Sequence, residues 1–319
     1  MALLEVKNLS IGYHSQKGYL HAVEDISFSL KPGKSLGFVG ESGCGKTTLG
    51  MALMRLLPPN GDIREGRIFF EGKDLLLKSD EEMRKIRWKK IAMIFQAAMN
   101  ALNPVHRIED QIAETILVHN PIYSKEEAIK KVEDLFVLVG ITKDRMRDYP
   151  HQYSGGMKQR AIIAMALACL PTLIIADEPT TALDVIVQDQ ILKEIKVLQE
   201  KFKISLIFIS HDISVVSDVC DDIGVMYAGK LVEYGDRLEV FSSPVHPYTK
   251  ALLSSYPTVT GDKYKLEPIP GEPPNLINQP LSCCRFCYRC PSAVGPCKTQ
   301  SPAWVELSPT HKALCSNIR

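Results

Sequence analysis

The chain has 319 residues, 45% of them apolar and 24% charged, with a formal net charge of +1. That is an ordinary globular profile, with enough apolar material for a core in one large domain plus something smaller, or in two domains of moderate size. The near balance of charge provides no global basic field and argues against a nucleic-acid or anionic-membrane binder.

The first residues, LLEVKNLSIGY (3–13), alternate as a strand and lack the apolar core of a signal peptide. No run in the sequence is long enough to span a bilayer, so a soluble, cytosolic protein is expected. A buried strand, SLGFVG (35–40), leads into GESGCGKTT (40–48), and further strands are predicted at GRIFFEG (66–72) and IAMIF (91–95). Residues 97–153 carry helical periodicity without strong strands, as in KEEAIKKVEDLFVLVG, and read as an inserted helical subdomain. Apolar strands return at TLIIAD (172–177) and SLIFIS (205–210), with an amphipathic helix over QDQILKEIKVLQEKF (188–202) between them. A turn-punctuated strand pair follows at DIGVMYAGKLVEYG (222–235). Buried strands alternating with helices imply an α/β fold with a largely parallel sheet covered on both faces, and the alternating strands near the two ends imply a smaller antiparallel layer. Beyond residue 256 the texture changes, because ten of the twenty prolines lie between Pro257 and Pro309. Residues 257–319 therefore read as a loop-dominated appendage on a domain of residues 1–256.

The segment GESGCGKTT fits G-x-x-x-x-G-K-[ST] between a strand and a helix. Gly40, Gly43 and Gly45 let backbone N–H groups curl around a phosphate, and the following helix points its positive end at the same anion. The loop from Gly40 through Ser42, Cys44 and Gly45 to Lys46, Thr47 and Thr48 is thus a candidate nucleotide cradle. Lys46 supplies a mobile point charge for the β- and γ-phosphates, and the Thr47 hydroxyl is placed to ligate Mg²⁺. The Cys44 thiol lies where a helix end can activate it, although small-residue filler is the simpler reading.

Four further polar side chains lie at the ends of three apolar strands. Asp177 can hold the Mg²⁺ shell, Glu178 can orient or deprotonate attacking water, and His211 can sense the transferring γ-phosphate. Gln96, after IAMIF, can ligate Mg²⁺ or position water. Strand ends of this kind converge on one sheet edge, where open α/β folds bind ligands. A second anion nest, Ser154-Gly155-Gly156 in YSGGMKQR, opens another helix. One γ-phosphate does not sit easily on two helix starts of one chain, which assigns this nest to a nucleotide held by another subunit.

In this order, GESGCGKTT, Gln96, YSGGMKQR, LIIADEP, ALD (182–184) and His211 resemble the ATP-binding subunits of ABC transporters, over about residues 1–250. The resemblance implies a P-loop NTPase with a RecA-like core, an antiparallel layer and a helical subdomain, hydrolysing ATP. It also implies that Tyr13 stacks on adenine, that Asp184 lies across a dimer seam, and that two subunits sandwich two ATP molecules. IFQAAMNALNPVHRI (94–108), SPVHPYTKALLSSYP (243–257) and PIPGEPPNL (268–276) are similar to the dipeptide/oligopeptide importer branch. That branch implies a sister ATPase subunit, two membrane permease subunits, an extracytoplasmic peptide-binding protein and a place at the cytoplasmic face of the membrane. Met157, where Gln is commoner, favours a heterodimer over a homodimer. Ala97-Ala98 departs from the acid and proline usual there, and Tyr153 stands where Leu is usual. The rival readings are a soluble ABC ATPase working on DNA or ribosomes, an importer of another substrate such as a nickel chelate, and a redox sensor whose ATPase reports on bound metal. One phosphate loop, no long coiled coil and no basic stripe weigh against the first.

Six of the nine cysteines fall between Cys283 and Cys315. In a reducing cytosol such a cluster reads as metal ligands or reactive thiols before disulfides. Cys284, Cys290, Cys297 and Cys315 give C-x5-C-x6-C-x17-C, which resembles the tail of the importer branch and implies a [4Fe–4S] cluster. Four thiolates also suit tetrahedral Zn²⁺, and Cys283 and Cys287 are surplus donors. Either metal would staple a segment too small for a core of its own.

Overall fold

The structure is a computed structural model and describes residues 1–96, 101–181, 183–255, 269–278 and 282–318. The chain divides into two compact units, one of Met1–Leu30, Ser35–Leu76 and Ile209–Arg319, the other of Lys31–Lys34 and Leu77–Phe208.

In the first unit, β1 (Leu4–Ser15) and β2 (Gly18–Leu30) form an antiparallel hairpin. After β3 (Ser35–Val39) and α1 (Lys46–Leu53), β4 (Gly61–Phe70) and β5 (Lys73–Asp74) complete a four-stranded antiparallel layer in the order β2-β1-β4-β5. The strand β2 was not among those predicted, because Glu24-Asp25 interrupts its alternation. The interruption coincides with a register shift between Leu9 and Ile11. There Asp25 takes a positive φ of 52° and its carboxylate accepts from Asn8 Nδ2 at 2.8 Å.

The second unit begins with α2 (Asp80–Ile86) and β6 (Ile91–Ile94) and continues through α3 (Ile108–His119), α4 (Lys125–Leu138) and α5 (Gly155–Leu167). The stretch 97–153, expected as a helical subdomain, holds α3 and α4 joined by turns, and its residues 97–100 lie outside the described residues. Helix α4 starts on a capping box, with Ser124 and Glu127 each satisfying the other's backbone N–H. Strand β7 (Leu173–Asp177), helix α6 (Val185–Phe202) and strand β8 (Ser205–Ser210) follow, the chain re-entering the first unit at Ile209. Strands β7 and β6 pair in parallel, and β7 is buried along its whole length. A strand buried on both faces needs no polar alternation, which is why LIIAD and IAMI read as continuous apolar runs.

Back in the first unit, α7 (Ile213–Val219) precedes a hairpin of β9 (Asp222–Tyr227) and β10 (Lys230–Asp236). Its two-residue turn, Ala228-Gly229, has positive φ at both positions (47° and 84°), the geometry whose twist matches the flanking strands. Helices α8 (Arg237–Ser242) and α9 (Pro247–Ser254) follow. Strands β11 (Trp304–Ser308) and β12 (His311–Leu314) then close the unit's second sheet portion, in the order β11-β12-β10-β9-β3. Within the segment expected to be loop-dominated lies a hairpin, paired to β10 at Glu233↔Ala313 and Tyr234↔Lys312. Beneath it, the buried Glu233 carboxylate accepts from the backbone N–H groups of Val245 and His246, each at 2.9 Å, and lies 2.8 Å from His311 Nε2.

Candidate nucleotide site

Strand β3 is buried at all five positions and delivers the chain to a loop whose glycines are required by space as well as by φ. Gly40, at φ 152°, would place a Cβ 2.0 Å from the Met226 carbonyl oxygen, and Gly45, at 102°, would place one 2.3 Å from that of Ala22. A Cβ on Gly43 would meet nothing within 4 Å, so its requirement is the left-handed φ of 78° alone. Helix α1 then starts without a side-chain cap and without an acid in its first turn, leaving its N–H groups and positive end for an anion.

The Lys46 ammonium is folded back into this loop, donating to the carbonyl oxygens of Gly40 (2.7 Å) and Glu41 (3.0 Å), with 5% of the residue exposed. A cation resting on carbonyl dipoles is paired but mobile, and can exchange those contacts for phosphate oxygens. Cys44 is buried, and burial pushes its thiol above the ordinary range, so it packs as filler and is no activated nucleophile. Ser42 is exposed and Thr47 half-buried at the start of α1. The Tyr13 hydroxyl donates to Thr48 Oγ1 at 3.1 Å, and its ring lies against Gly61, where a Cβ would stand 2.7 Å from it.

In the second unit, β7 ends in the buried Asp177, 1% exposed, and the half-buried Glu178. Glu178 takes a positive φ of 47°, a costly setting for a glutamate that marks a position held by its surroundings. Its Oε2 accepts from Gln96 Nε2 and from Thr181 Oγ1, each at 3.0 Å. The structure therefore brings Gln96 and Glu178 together and adds Thr181, which sequence reasoning passed over. No sequence signal pointed to it, because the left-handed turn at Glu178 that brings the hydroxyl back belongs to the folded chain. The Ala97-Ala98 departure lies outside the described residues.

The Ser154 hydroxyl accepts from Met157 N–H at 3.3 Å and caps α5, whose first turn carries no acid. Ser154 and Gly155 are exposed and Gly156 is half-buried. A Cβ on Gly156 would stand 2.8 Å from Val187 of α6, so this glycine also lets two helices approach. Tyr153 is buried, with its hydroxyl donating to the Arg145 carbonyl at 2.9 Å. Asp184 is exposed and caps α6 by accepting from Val187 N–H at 3.0 Å. Ala182 of the ALD segment lies outside the described residues. His211 is exposed just past β8, in the first unit.

In the cysteine-rich segment, Cys284 N–H donates to the Cys297 carbonyl at 2.9 Å. Burial pushes the Cys284 thiol up to about 11, with the charges of Cys297, Cys287 and Cys315 adding to the effect. Burial likewise raises Cys290, with Cys315 and Cys297 adding to it. Cys284 and Cys290 are thus each within electrostatic reach of Cys297 and Cys315. Among the described residues, no group of three or more His, Cys, Asp or Glu side chains is placed to hold a metal ion.

A glycine-rich loop over a helix start, a second anion nest and an acid pair after a buried strand define an ATP-binding cassette. The family model described as ABC transporter matches residues 23–181, and that described as oligopeptide/dipeptide transporter, C-terminal region, matches residues 232–297. The chain belongs to the ATP-binding proteins of dipeptide and oligopeptide ABC transporters. It is 46% identical over 316 residues to the dipeptide transport ATP-binding protein DppD of Bacillus subtilis, covering 98% of this chain and 94% of that one. It is 43% identical to the oligopeptide transport ATP-binding protein OppD of Escherichia coli, over 98% and 93% of the two chains. Among solved structures, it resembles a dimeric ATP-binding cassette bound to ADP and Pi (TM-score 0.66, 26% identity, 73% of this chain and 98% of that chain). A second resemblance is to CbiO1 of Clostridium perfringens, part of an ABC transporter complex (TM-score 0.66, 28% identity, 76% and 91% of the chains).

Proposed function

We propose that the chain binds and hydrolyses ATP in a sandwich with a sister ATPase subunit, at the cytoplasmic face of the membrane, and so powers import of di- or oligopeptides. Two membrane permease subunits would form the path, and an extracytoplasmic peptide-binding protein would deliver the cargo. The observation that carries this reading is the pair of helix starts suited to phosphate: one buried loop holding Lys46, and one exposed nest at Ser154, Gly155 and Gly156. Each suits a different nucleotide, as a two-subunit sandwich requires. Val185 and Ile186, 81% and 72% exposed beside the Asp184 cap, add an apolar surface for the sister subunit. The peptide class rests on the curated relatives, whose names give dipeptide and oligopeptide transport.

Lys46, with the N–H groups of the glycine loop through Ser42, Cys44 and Thr48, would hold the β- and γ-phosphates, and Tyr13 the adenine. Glu178 would orient or deprotonate the attacking water, kept in place by Gln96 and Thr181, and His211 would bond the γ-phosphate. The Thr47 hydroxyl, Gln96 amide oxygen and Asp177 carboxylate are each oxygen donors of the kind Mg²⁺ takes and would hold it, and the ion would neutralise phosphate charge. Cys284, Cys290, Cys297 and Cys315 supply the four thiols that a [4Fe–4S] cluster requires, and such a cluster would cross-link the tail in a structural or regulatory role.

Affinity purification of the tagged chain from membranes should bring down two permease subunits and a second ATPase. Recovery with ribosomes or DNA instead would overturn the importer reading. Metal and acid-labile sulfide analysis of anaerobically purified protein should give iron and sulfide, whereas zinc alone would replace the cluster with a zinc staple.

A further inference from the structure

The cysteine-rich segment is joined to the phosphate loop by an arginine that neither the metal site nor the chemistry of hydrolysis accounts for. Arg289 stands beside Cys290 and is 8% exposed. Its Nη1 and Nη2 donate to the two carboxylate oxygens of Glu41 at 2.7 and 2.9 Å, a bidentate fork. Glu41 is the first free position of the phosphate loop. The remaining donors of the guanidinium are also used, on the Tyr227 hydroxyl (3.2 Å) and the carbonyls of Pro270 (2.8 Å) and Ile269 (3.3 Å). All five N–H groups of the guanidinium therefore have an acceptor.

Glu41 is held on its other polar groups as well. Its N–H donates to the Tyr248 hydroxyl at 2.9 Å, and its carbonyl is one of the two on which the Lys46 ammonium rests. Phe286, on the same turn as Arg289, packs edge-on against Tyr227 and Tyr248 at ring distances of 5.1 and 5.4 Å. A second arm comes from Arg285, which bonds Glu24 and the Ala228 carbonyl at the β9–β10 turn. The neighbouring Gly229 N–H donates to the Cys44 carbonyl at 2.9 Å. Residues 285–289 thus grip the phosphate loop at two points, directly at Glu41 and through the hairpin turn at Cys44.

We propose that Arg289 is a positioning residue for the nucleotide site, holding the Glu41 end of the phosphate loop in its binding form, so that the tail and the nucleotide stabilise one another. The inference rests on the reading of the Lys46 loop as the ATP site. A buried charge pair that only supported the fold would change stability without favouring the nucleotide-bound state. A strut on the loop makes loop order and tail order one equilibrium, and such coupling is reciprocal.

The test is titration of the full-length chain with a fluorescent ATP analogue and Mg²⁺, alongside amide hydrogen exchange across residues 283–297 with and without ATP. Arg289→Lys keeps the charge but not the fork, and Glu41→Gln keeps the shape but not the charge. Each should weaken ATP-analogue binding about tenfold, the loss of one charge-assisted hydrogen bond. The double variant should be no weaker than the weaker single one, since both break one interaction. In the assembled transporter the change should fall on KM more than on kcat. ATP should slow exchange across 283–297 in the unaltered protein, and less so in Arg289→Lys. Unchanged affinity in both variants, or ATP-insensitive exchange in the unaltered protein, overturns the proposal. The exchange measurement needs no variant, so it decides the matter even where a substitution fails to fold. Lys46→Ala separates the two readings: intact ATP binding there removes the site itself, whereas loss there with none at Arg289 removes only the strut.

Discussion

Replacing Glu178 by Gln exchanges one oxygen for an NH₂ group and tests the assigned chemistry with little disturbance of the fold. In the structure one carboxylate oxygen takes both hydrogen bonds, from Gln96 Nε2 and Thr181 Oγ1 at 3.0 Å each. A glutamine can offer its amide oxygen to the same two donors and turn its NH₂ away. At these two hydrogen bonds it loses the charge, about 1 kcal/mol apiece and less at a half-buried site. Melting should therefore shift by no more than about 2–4 °C per kcal/mol lost. Loss of a general base costs about 10²–10⁴ in rate, or roughly 3–5 kcal/mol of barrier. Single-turnover ATP hydrolysis should fall by that factor while ATP binding persists, and gel filtration with ATP should show a stable dimer of ATPase subunits. Hydrolysis at the unaltered rate would refute the role of Glu178. A slow enzyme that also melts far lower would show instead that Glu178 acts through the fold.

Lys46→Ala should weaken ATP binding by about a hundredfold, because two charge-assisted phosphate contacts go with the ammonium, and equilibrium dialysis with labelled ATP measures it. Glu233→Gln should destabilise the fold by about 3–5 kcal/mol in urea unfolding, since a carboxylate that serves three buried donors is replaced by an amide that must turn its own NH₂ toward one of them. Burial holds His246 down at about 3 from its usual 6.5, so the imidazole stays neutral in the folded chain and its Nδ1 accepts from Tyr248 N–H at 3.0 Å. Between those values the unfolded chain binds the extra proton; stability is therefore full above pH 6.5 and falls by up to about 1.4 kcal/mol per pH unit below it. His246→Asn keeps a capping acceptor without the titration, and its urea stability should fall less steeply between pH 6 and 4. Equal slopes would assign the pH dependence to other groups.

The candidate residues Asp177, Glu178 and His211 were legible because each ends or follows a short buried strand. LIIAD and SLIFIS have no polar alternation, so the first acids and the histidine after them stand out as strand-end groups. The phosphate loop was legible for the same reason, with glycines where Met226 and Ala22 leave no space for a Cβ. Strand β2 was hidden because its bulge puts Glu24 and Asp25 inside the run, and β11 because its residues are exposed or half-buried and lack a core face. The Arg289–Glu41 fork was hidden for a different reason. Its partners are 248 residues apart, no local pattern joins them, and the cysteines around Arg289 draw attention to metal chemistry. Contacts that depend on chain topology leave no periodicity to read.

The separation of that fork in the chain also sets an order of events during synthesis. Translation adds about 5–20 residues per second, so Arg289 emerges roughly 12–50 s after Glu41. In that interval the loop can form, with Lys46 already resting on the Gly40 and Glu41 carbonyls, while the Glu41 carboxylate faces water. Each newly made chain thus passes through a stage with a phosphate loop and no strut. With the strut acting as proposed, its grip on ATP would tighten when the cysteine-rich segment arrives, late in synthesis.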